Sequence, residues 1–372
     1  MSRIQIDTLT SVHIGSGNSL QYGADFVMGK YQDNDMLAIV DLRKVATVIG
    51  EQNIPYWVSA LENGDSTEMI IKRFAPKANI VDYAKRMILQ WDEIKSSDTL
   101  MEHIHDGRGV PYIPGSSIKG AIRTSVLASL ARQLPDVENK LRNRFGKISA
   151  NQVESELFGS DPNKDVFRFL QVGDAYFGKK YEVAIRMVNI NERERQGFWD
   201  ESKQQLIEAI CPEDTTEFQM RLNLTGYNLS NTKGKVHAIP DCLSSLPELF
   251  ETINAHTIHL LETEKAYWEE READDDSNSV SAYLEKVDEM LNLTRQCKKG
   301  KECVLRVGSG SGWRFITGAW TEDLDNFASL VIPASRPKNF NYEQYNFPKT
   351  RRVDDQCELL GFVKLTINDI TL

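Results

Sequence analysis

Three stretches of the chain combine glycine, serine and basic residues in spacings that suit anion chemistry. The sharpest is Pro111-Tyr112-Ile113-Pro114-Gly115-Ser116-Ser117-Ile118-Lys119-Gly120-Ala121-Ile122-Arg123-Thr124. Pro114-Gly115 makes a tight turn, and Ser116 or Ser117 is expected to cap the helix that follows. Free amides at the positive end of that helix form an anion site. Lys119 and Arg123 lie four apart, hence on one face, while Ile118, Ala121, Ile122 and Leu130 mark the buried side. Two cations above a helix N-terminus suit consecutive phosphates of a strand. A well-capped helix with ordinary surface cations is the alternative. The pattern is neither a Walker A loop nor the dinucleotide G-x-G-x-x-G.

The second stretch is Leu305-Arg306-Val307-Gly308-Ser309-Gly310-Ser311-Gly312-Trp313-Arg314. Its alternating glycines Gly308, Gly310 and Gly312 remove side chains from a loop, so another backbone can approach closely. Arg306 and Arg314 flank it, and Trp313 offers a stacking face unless it packs into the core. No acidic ribose partner or P-loop lysine accompanies the loop, so a nucleotide cofactor is only weakly signalled. The third stretch is Val12-His13-Ile14-Gly15-Ser16-Gly17, with Gly23-Ala24-Asp25 behind it. His13 could act as a general base and Asp25 could help activate a ribose 2′-OH, although a histidine after a strand is commonly structural. His103 and His105 are read as loop residues. His256 and His259 sit at helical i, i+3 spacing without a third metal ligand. No metal site is expected.

These stretches need a frame to hold them. Arg3 to Leu9 alternates as a half-buried strand, and two strands flank the turn Gln32-Asp33-Asn34-Asp35. Asp41 caps a helix to about Ile49, and 66–100 reads as helical. A helix from Ser117 to Gln133 is stopped by Pro135. Strands are expected at 168–172, 183–190, 217–224, 303–307 and 361–367. Residues 241–296 read as an acidic, solvated pair of helices broken near Asp274-Asp275-Asp276-Ser277-Asn278-Ser279. Interleaved strands and helices around one glycine-rich loop in each half suggest two α+β domains, 1–180 and 181–372.

The 372 residues are 41% apolar, 26% charged and 9% aromatic, an ordinary globular composition. Five cysteines without a C-x-x-C argue against a disulfide framework and a four-ligand zinc site, and for a reducing cytoplasm. The start, Met1-Ser2-Arg3-Ile4-Gln5-Ile6, has no apolar core of a leader, and no run is long enough to span a membrane. The net charge of −10 is concentrated: residues 262–289 hold eleven acidic and three basic residues. Basic clusters remain at Lys298-Lys299-Gly300-Lys301 and at Lys349-Thr350-Arg351-Arg352, so the acidic total does not exclude nucleic acid.

Taken together these stretches resemble the repeat-associated RAMP proteins of CRISPR effector complexes. Ile113 to Thr124 is similar to the motif before the second RAMP helix. Val12 to Gly17 is similar to the loop after the first strand, and Arg306 to Trp313 to the C-terminal glycine-rich loop. The length and the tail Phe347-Pro348-Lys349-Thr350-Arg351-Arg352-Val353, with Leu360 to Leu365, resemble the subunit-five family of the type III-A (Csm) complex.

The resemblance implies two ferredoxin-like (RRM-like) modules, with a helical acidic insertion at about 241–296 in the second. It implies a non-catalytic guide-RNA-binding subunit that caps the 3′-end side of the ribonucleoprotein and aids guide maturation and assembly. Its partners would be the guide RNA, the repeated backbone RAMP subunit, a helical small subunit, nearby target RNA and host nucleases, with no cofactor. The residues expected on RNA are His13, Gly15, Ser16, Gly115, Ser116, Ser117, Lys119, Arg123, Arg306, Gly308, Gly310, Gly312, Trp313, Arg314, Lys349, Arg351 and Arg352. In the repeated backbone subunit, an Asp after the H-I-G element is implicated in cutting target RNA, and Asp25 falls at a similar place. The competing reading is therefore a metal-dependent endoribonuclease using Asp25 or His13.

Overall fold

The computed structural model describes residues 2–142, 148–191, 198–232, 234, 236–275, 277–335 and 350–369. The first third runs β1 (Ser2–Thr8), β2 (Gly15–Gln21), β3 (Phe26–Tyr31), β4 (Asn34–Val40), α1 (Leu42–Ile49), α2 (Ile54–Glu62), α3 (Thr67–Phe74), α4 (Ile80–Tyr83), β5 (Ala84–Gln90) and β6 (Thr99–His103). The middle continues with β7 (Tyr112–Ile113), α5 (Gly115–Ala131), α6 (Val137–Lys140), α7 (Asn151–Phe158), β8 (Leu170–Val172), β9 (Ala175–Tyr176), β10 (Glu182–Asn191), β11 (Trp199–Ala209) and β12 (Thr215–Leu222). The last third holds α8 (Leu224–Asn231), α9 (Leu246–Glu269), α10 (Ser279–Arg295), β13 (Glu302–Arg306), α11 (Ile332–Ser335), β14 (Thr350–Val353) and β15 (Phe362–Asp369). Among the described residues no helix is long and apolar enough to cross a membrane.

Local signals explain many of these elements. Alternation buries Ile4 and Ile6 of β1 completely. Gln32 and Asp33 both take positive φ, 49° and 64°, which lets a tight hairpin join β3 to β4. The Asp41 carboxylate accepts from the Arg43 and Lys44 amides and starts α1.

The expected helical run over 66–100 ends early, because residues 84–90 and 99–103 are strands. Short apolar runs do not distinguish the two states, and here pairing of β5 with β4 and β10 decides. The strand expected at 168–172 begins only at Leu170, after one 3-10 turn over Val166–Phe169.

The five-stranded sheet has the order β13-β15-β1-β12-β8, with antiparallel neighbours throughout. The connection through α5 therefore joins two parallel strands, β1 and β8, with β12 between them. One core unites Ile4, Phe218 and Val363 of this sheet with Ile118 and Ile122 of α5 and Phe250 of α9. The eight-stranded sheet has the order β2-β6-β11-β10-β5-β4-β3, with β14 paired to β10. β2 and β3 occupy opposite edges yet are only residues 22–25 apart, so this sheet curls around Phe26, Leu37, Ile88, Leu100 and Leu206. Strands from both sides of residue 180 enter each large sheet, so that position does not separate one sheet from the other.

The acidic helices are not simply solvated. Trp268 of α9 and Tyr283 and Val287 of α10 are buried in a core shared with Val304 and Phe362. This corrects the expectation of a surface pair: a 24-residue helix presents one stripe to the sheet whatever charge its other side carries.

Candidate nucleic-acid interface

Two of the sequence loops meet through their backbones, and the His103 side chain links the first of them to Tyr112 of the third. The Ser309 amide donates to the His13 carbonyl at 2.9 Å, and the Ile104 amide to the Ile14 carbonyl at 2.8 Å. The Ile14 amide donates to His103 Nδ1 at 3.1 Å, and His103 Nε2 lies 3.2 Å from the Tyr112 carbonyl. Gly308 has φ +83°, and a Cβ there would sit 2.5 Å from the His13 carbonyl, so only glycine fits. The close approach expected of the glycine-rich loop is thus made to the first loop. His13 is buried beneath it, with Nδ1 2.6 Å from the Glu208 carbonyl, and burial lowers its pKa. His103 ends β6 and is fully buried rather than lying in a loop.

The loop before α5 spends its first helix amide on the protein. The helix begins at Gly115 after Pro114, with no side-chain cap. Ser116 and Ser117 therefore occupy its first turn, where they cannot cap, which corrects the expected start. The Gly115 amide donates to the Asp174 carboxylate at 2.7 Å. A Cβ at Gly115 would lie 2.3 Å from the Val172 carbonyl, so the turn is pressed directly onto the strand end.

Lys119 and Arg123 do line one cleft together with Arg168. Yet Arg123 is held by Asp165 at 2.8 Å and Glu154 at 3.1 Å, and its guanidinium lies over Phe158 and Phe167. Lys119 is half-buried, and desolvation, helped by neighbouring Arg123, lowers its pKa against the pull of Asp165.

Three further arginines point inward. Arg306 donates to the Leu360 carbonyl at 2.7 Å and to the Gly310 carbonyl at 3.2 Å, between Phe315 and Phe362. Burial pushes its pKa down to about 10. Arg314 and Arg351 both bind the Glu264 carboxylate of α9, and Arg314 also pairs with Glu322. Tyr283 and Trp268 donate to the same carboxylate at 2.6 and 3.1 Å. Burial alone would raise the Glu264 pKa, but Arg351 and Arg314 outweigh it and hold the carboxyl at about 2. Nothing local in the sequence marks Glu264 among its acidic neighbours.

Arg352 faces the other way, as alternation along β14 requires. It donates to the Gln205 side chain at 3.2 Å and lines a cleft with Asn189, Asn191, Asp200, Lys203, Trp313 and the loop Gly308 to Gly312. Asn189, Asn191 and Lys203 were not singled out in the sequence. The only local signal of Asn189 and Asn191 is a polar residue at every second position of an otherwise apolar strand end, Val188-Asn189-Ile190-Asn191, and nothing local marks Lys203. Lys349 lies outside the described residues.

A second polar group lies beside β2. Ser16 and Asn18 donate to the Glu102 carboxylate, at 3.0 and 2.8 Å. Arg86 bridges Glu102 and Glu208, and His105 pairs with Glu182 at 2.8 Å. Burial raises the Glu182 pKa to about 7. The side chains of Glu102, His105 and Glu208 are near enough to share a metal, but Arg86 already supplies the positive charge between two of them. Asp25 is outside this group, exposed in the turn after β2, where it accepts from the Gln21 amide at 2.8 Å.

Comparisons with known proteins address the family and the fold. The model of the RAMP superfamily matches residues 5–315. The chain is 23% identical over 270 residues to the CRISPR system protein Csm5 of Methanocaldococcus jannaschii, covering 59% of this chain and 63% of that relative, less than two thirds of its length. The fold is similar to the crystal structure of T. onnurineus Csm5, with a TM-score of 0.66 at 17% identity over 96% of this chain and 99% of the other. It is also similar to a chain of the cryo-EM Csm–crRNA–target RNA ternary complex of a type III-A CRISPR-Cas system, with a TM-score of 0.69 at 20% identity over 98% and 100%. With the first and last glycine loops in backbone contact and the family model spanning most of its length, this chain belongs to the RAMP superfamily.

Proposed function

We propose that the chain is a guide-RNA-binding subunit of a type III-A CRISPR ribonucleoprotein, related to Csm5 and without nuclease activity of its own. The observation that carries this reading is the cleft beneath the 308–312 loop. It combines a backbone free of side chains at Gly308, Gly310 and Gly312 with exposed Lys203 and half-buried Arg352. Such a surface suits phosphates and 2′-hydroxyls, which fix a strand without reading its sequence. Gly15, Ser16, Ser116, Ser117 and Lys119 extend the proposed contact. Arg306, Arg314 and Arg351 hold the loop in shape from behind, and Arg123 would reach a phosphate only by releasing Asp165 or Glu154.

The proposed place is the 3′-end side of the guide, beside a repeated backbone RAMP subunit, a helical small subunit and target RNA. Host nucleases would trim the guide that the subunit protects. The order β8-β12-β1-β15, with β12 between parallel strands, supports a ferredoxin-like reading of the five-stranded sheet.

Binding of a guide-like RNA across a salt series tests the proposal. Replacing Lys203 and Arg352 together by alanine should weaken every RNA alike and flatten the log–log salt slope by up to about two units. An unchanged slope in a folded double variant would remove the cleft from the RNA path.

A further inference from the structure

We propose that this cleft holds one unstacked adenine nucleotide of the bound strand, with Asn189 reading the edge of its base. The proposal rests on the RNA-binding reading above and adds a base preference that phosphate contacts cannot supply.

Asn189 is only 5% exposed, and its side chain lines the cleft. In the strand register it lies between Asp200 of β11 and Arg352 of β14, the centre of a polar row across three strands. Among the described residues its amide has no hydrogen-bond partner. Its neighbours are satisfied: Asp200 accepts from the Ser202 amide and hydroxyl and from Asn191, and Arg352 donates to Gln205. With no protein partner, this amide can be satisfied only from the cleft it lines, which marks a place for a ligand.

The walls fit the rest of a nucleotide. The amides of Gly310, Ser311 and Gly312 have no partner among the described residues, and successive free amides suit a phosphate oxygen. Lys203 and Arg352 add positive charge, and Trp313 adds an aromatic wall. The cleft encloses about 490 Å³, within the range of small-molecule sites.

The amide selects the base. Asn189 offers one donor and one acceptor, which match the N7 acceptor and N6 amino group of adenine. The N7 and O6 edge of guanine asks for two donors, as an arginine provides. Bases in single strands expose these edges.

The test measures binding of short homo-oligomers of A, G, C and U, and of AMP alone, to the purified chain. The wild type should prefer the A oligomer to the U oligomer by roughly tenfold, the scale of one bidentate base contact. Asn189→Ala should erase that preference while keeping the affinity for U. Asn189→Asp, which keeps the size but loses the donor, should do the same and separates base reading from folding. Equal binding of all four oligomers by the wild type would overturn the adenine site and leave the RNA-binding reading intact. A preference for G would overturn it in favour of Arg352. Failure to bind any oligomer would sink the RNA-binding reading itself. AMP competing as well as the A oligomer would overturn the strand as the source of the nucleotide.

Discussion

The loop before α5 and the loop after β13 are alike in composition: each sets glycine and serine beside basic residues. Their fates differ. At the first, Asp174 takes the Gly115 amide, and Glu154 and Asp165 take Arg123. At the second, the amides of Gly310 to Gly312 stay open, Glu264 and Glu322 neutralise Arg314 and Arg351 from behind, and Arg306 is held by backbone carbonyls. The tail repeats the contrast at one step, since Arg351 is buried on Glu264 while Arg352 lines the cleft. A basic residue thus contributes to an interface only where the fold leaves it without a carboxylate of its own.

The largest effect should come from the charge behind the open loop. Glu264→Gln leaves Arg314 and Arg351 buried without this counter-charge and should cost about 3–5 kcal/mol in chemical unfolding. Because the folded carboxyl titrates at about 2 and its ordinary value is 4.5, this stability is complete above 4.5. It should fade as pH falls toward 2 in the wild type, and the variant should lack that part of the acid dependence. A variant as stable as the wild type would mean that the loop is held by something else.

An intermediate pair sharpens the comparison directly. Gly115→Ala drives a methyl onto the Val172 carbonyl and should cost about 1–3 kcal/mol by overpacking. Gly312→Ala meets nothing nearer than 3.8 Å, so its cost, about 1–3 kcal/mol, comes from the backbone alone, φ +73° with ψ 174°, a region essentially reserved for glycine. RNA affinity should fall more for Gly312→Ala. Equal losses at both glycines would erase the distinction between a closed loop and an open one.

The smallest effect is expected at Asp25. A lone carboxylate in a turn cannot align an attacking 2′-OH with its leaving group. Asp25→Ala should leave the number of cuts in target RNA unchanged when the reconstituted complex is assayed with divalent metal. Loss of one cut would make the chain a ribonuclease subunit.

Much of the frame was legible locally. Alternation announced β1, a strand-like run announced β15, the Gln32–Asp35 turn announced the β3–β4 hairpin, and glycines at 308, 310 and 312 announced a close backbone approach. The strands β5 and β6 were not legible, because their short apolar runs lack a distinguishing period. The site was legible in its loops but not in its floor: Asn189 becomes notable only when β11 and β14 place Asp200 and Arg352 on either side of it.

What the sequence determined by itself is therefore what backbone geometry imposes over a few residues: strand alternation, helix starts near Pro114 and the absence of side chains in the glycine loop. Only the tertiary structure decided which cations remain available, because their partners are remote. Arg351 meets Glu264 across 87 positions, and Arg314 meets it across 50. Periodicity is a property of neighbouring residues, whereas charge pairing and desolvation depend on whatever the fold brings within a few ångströms.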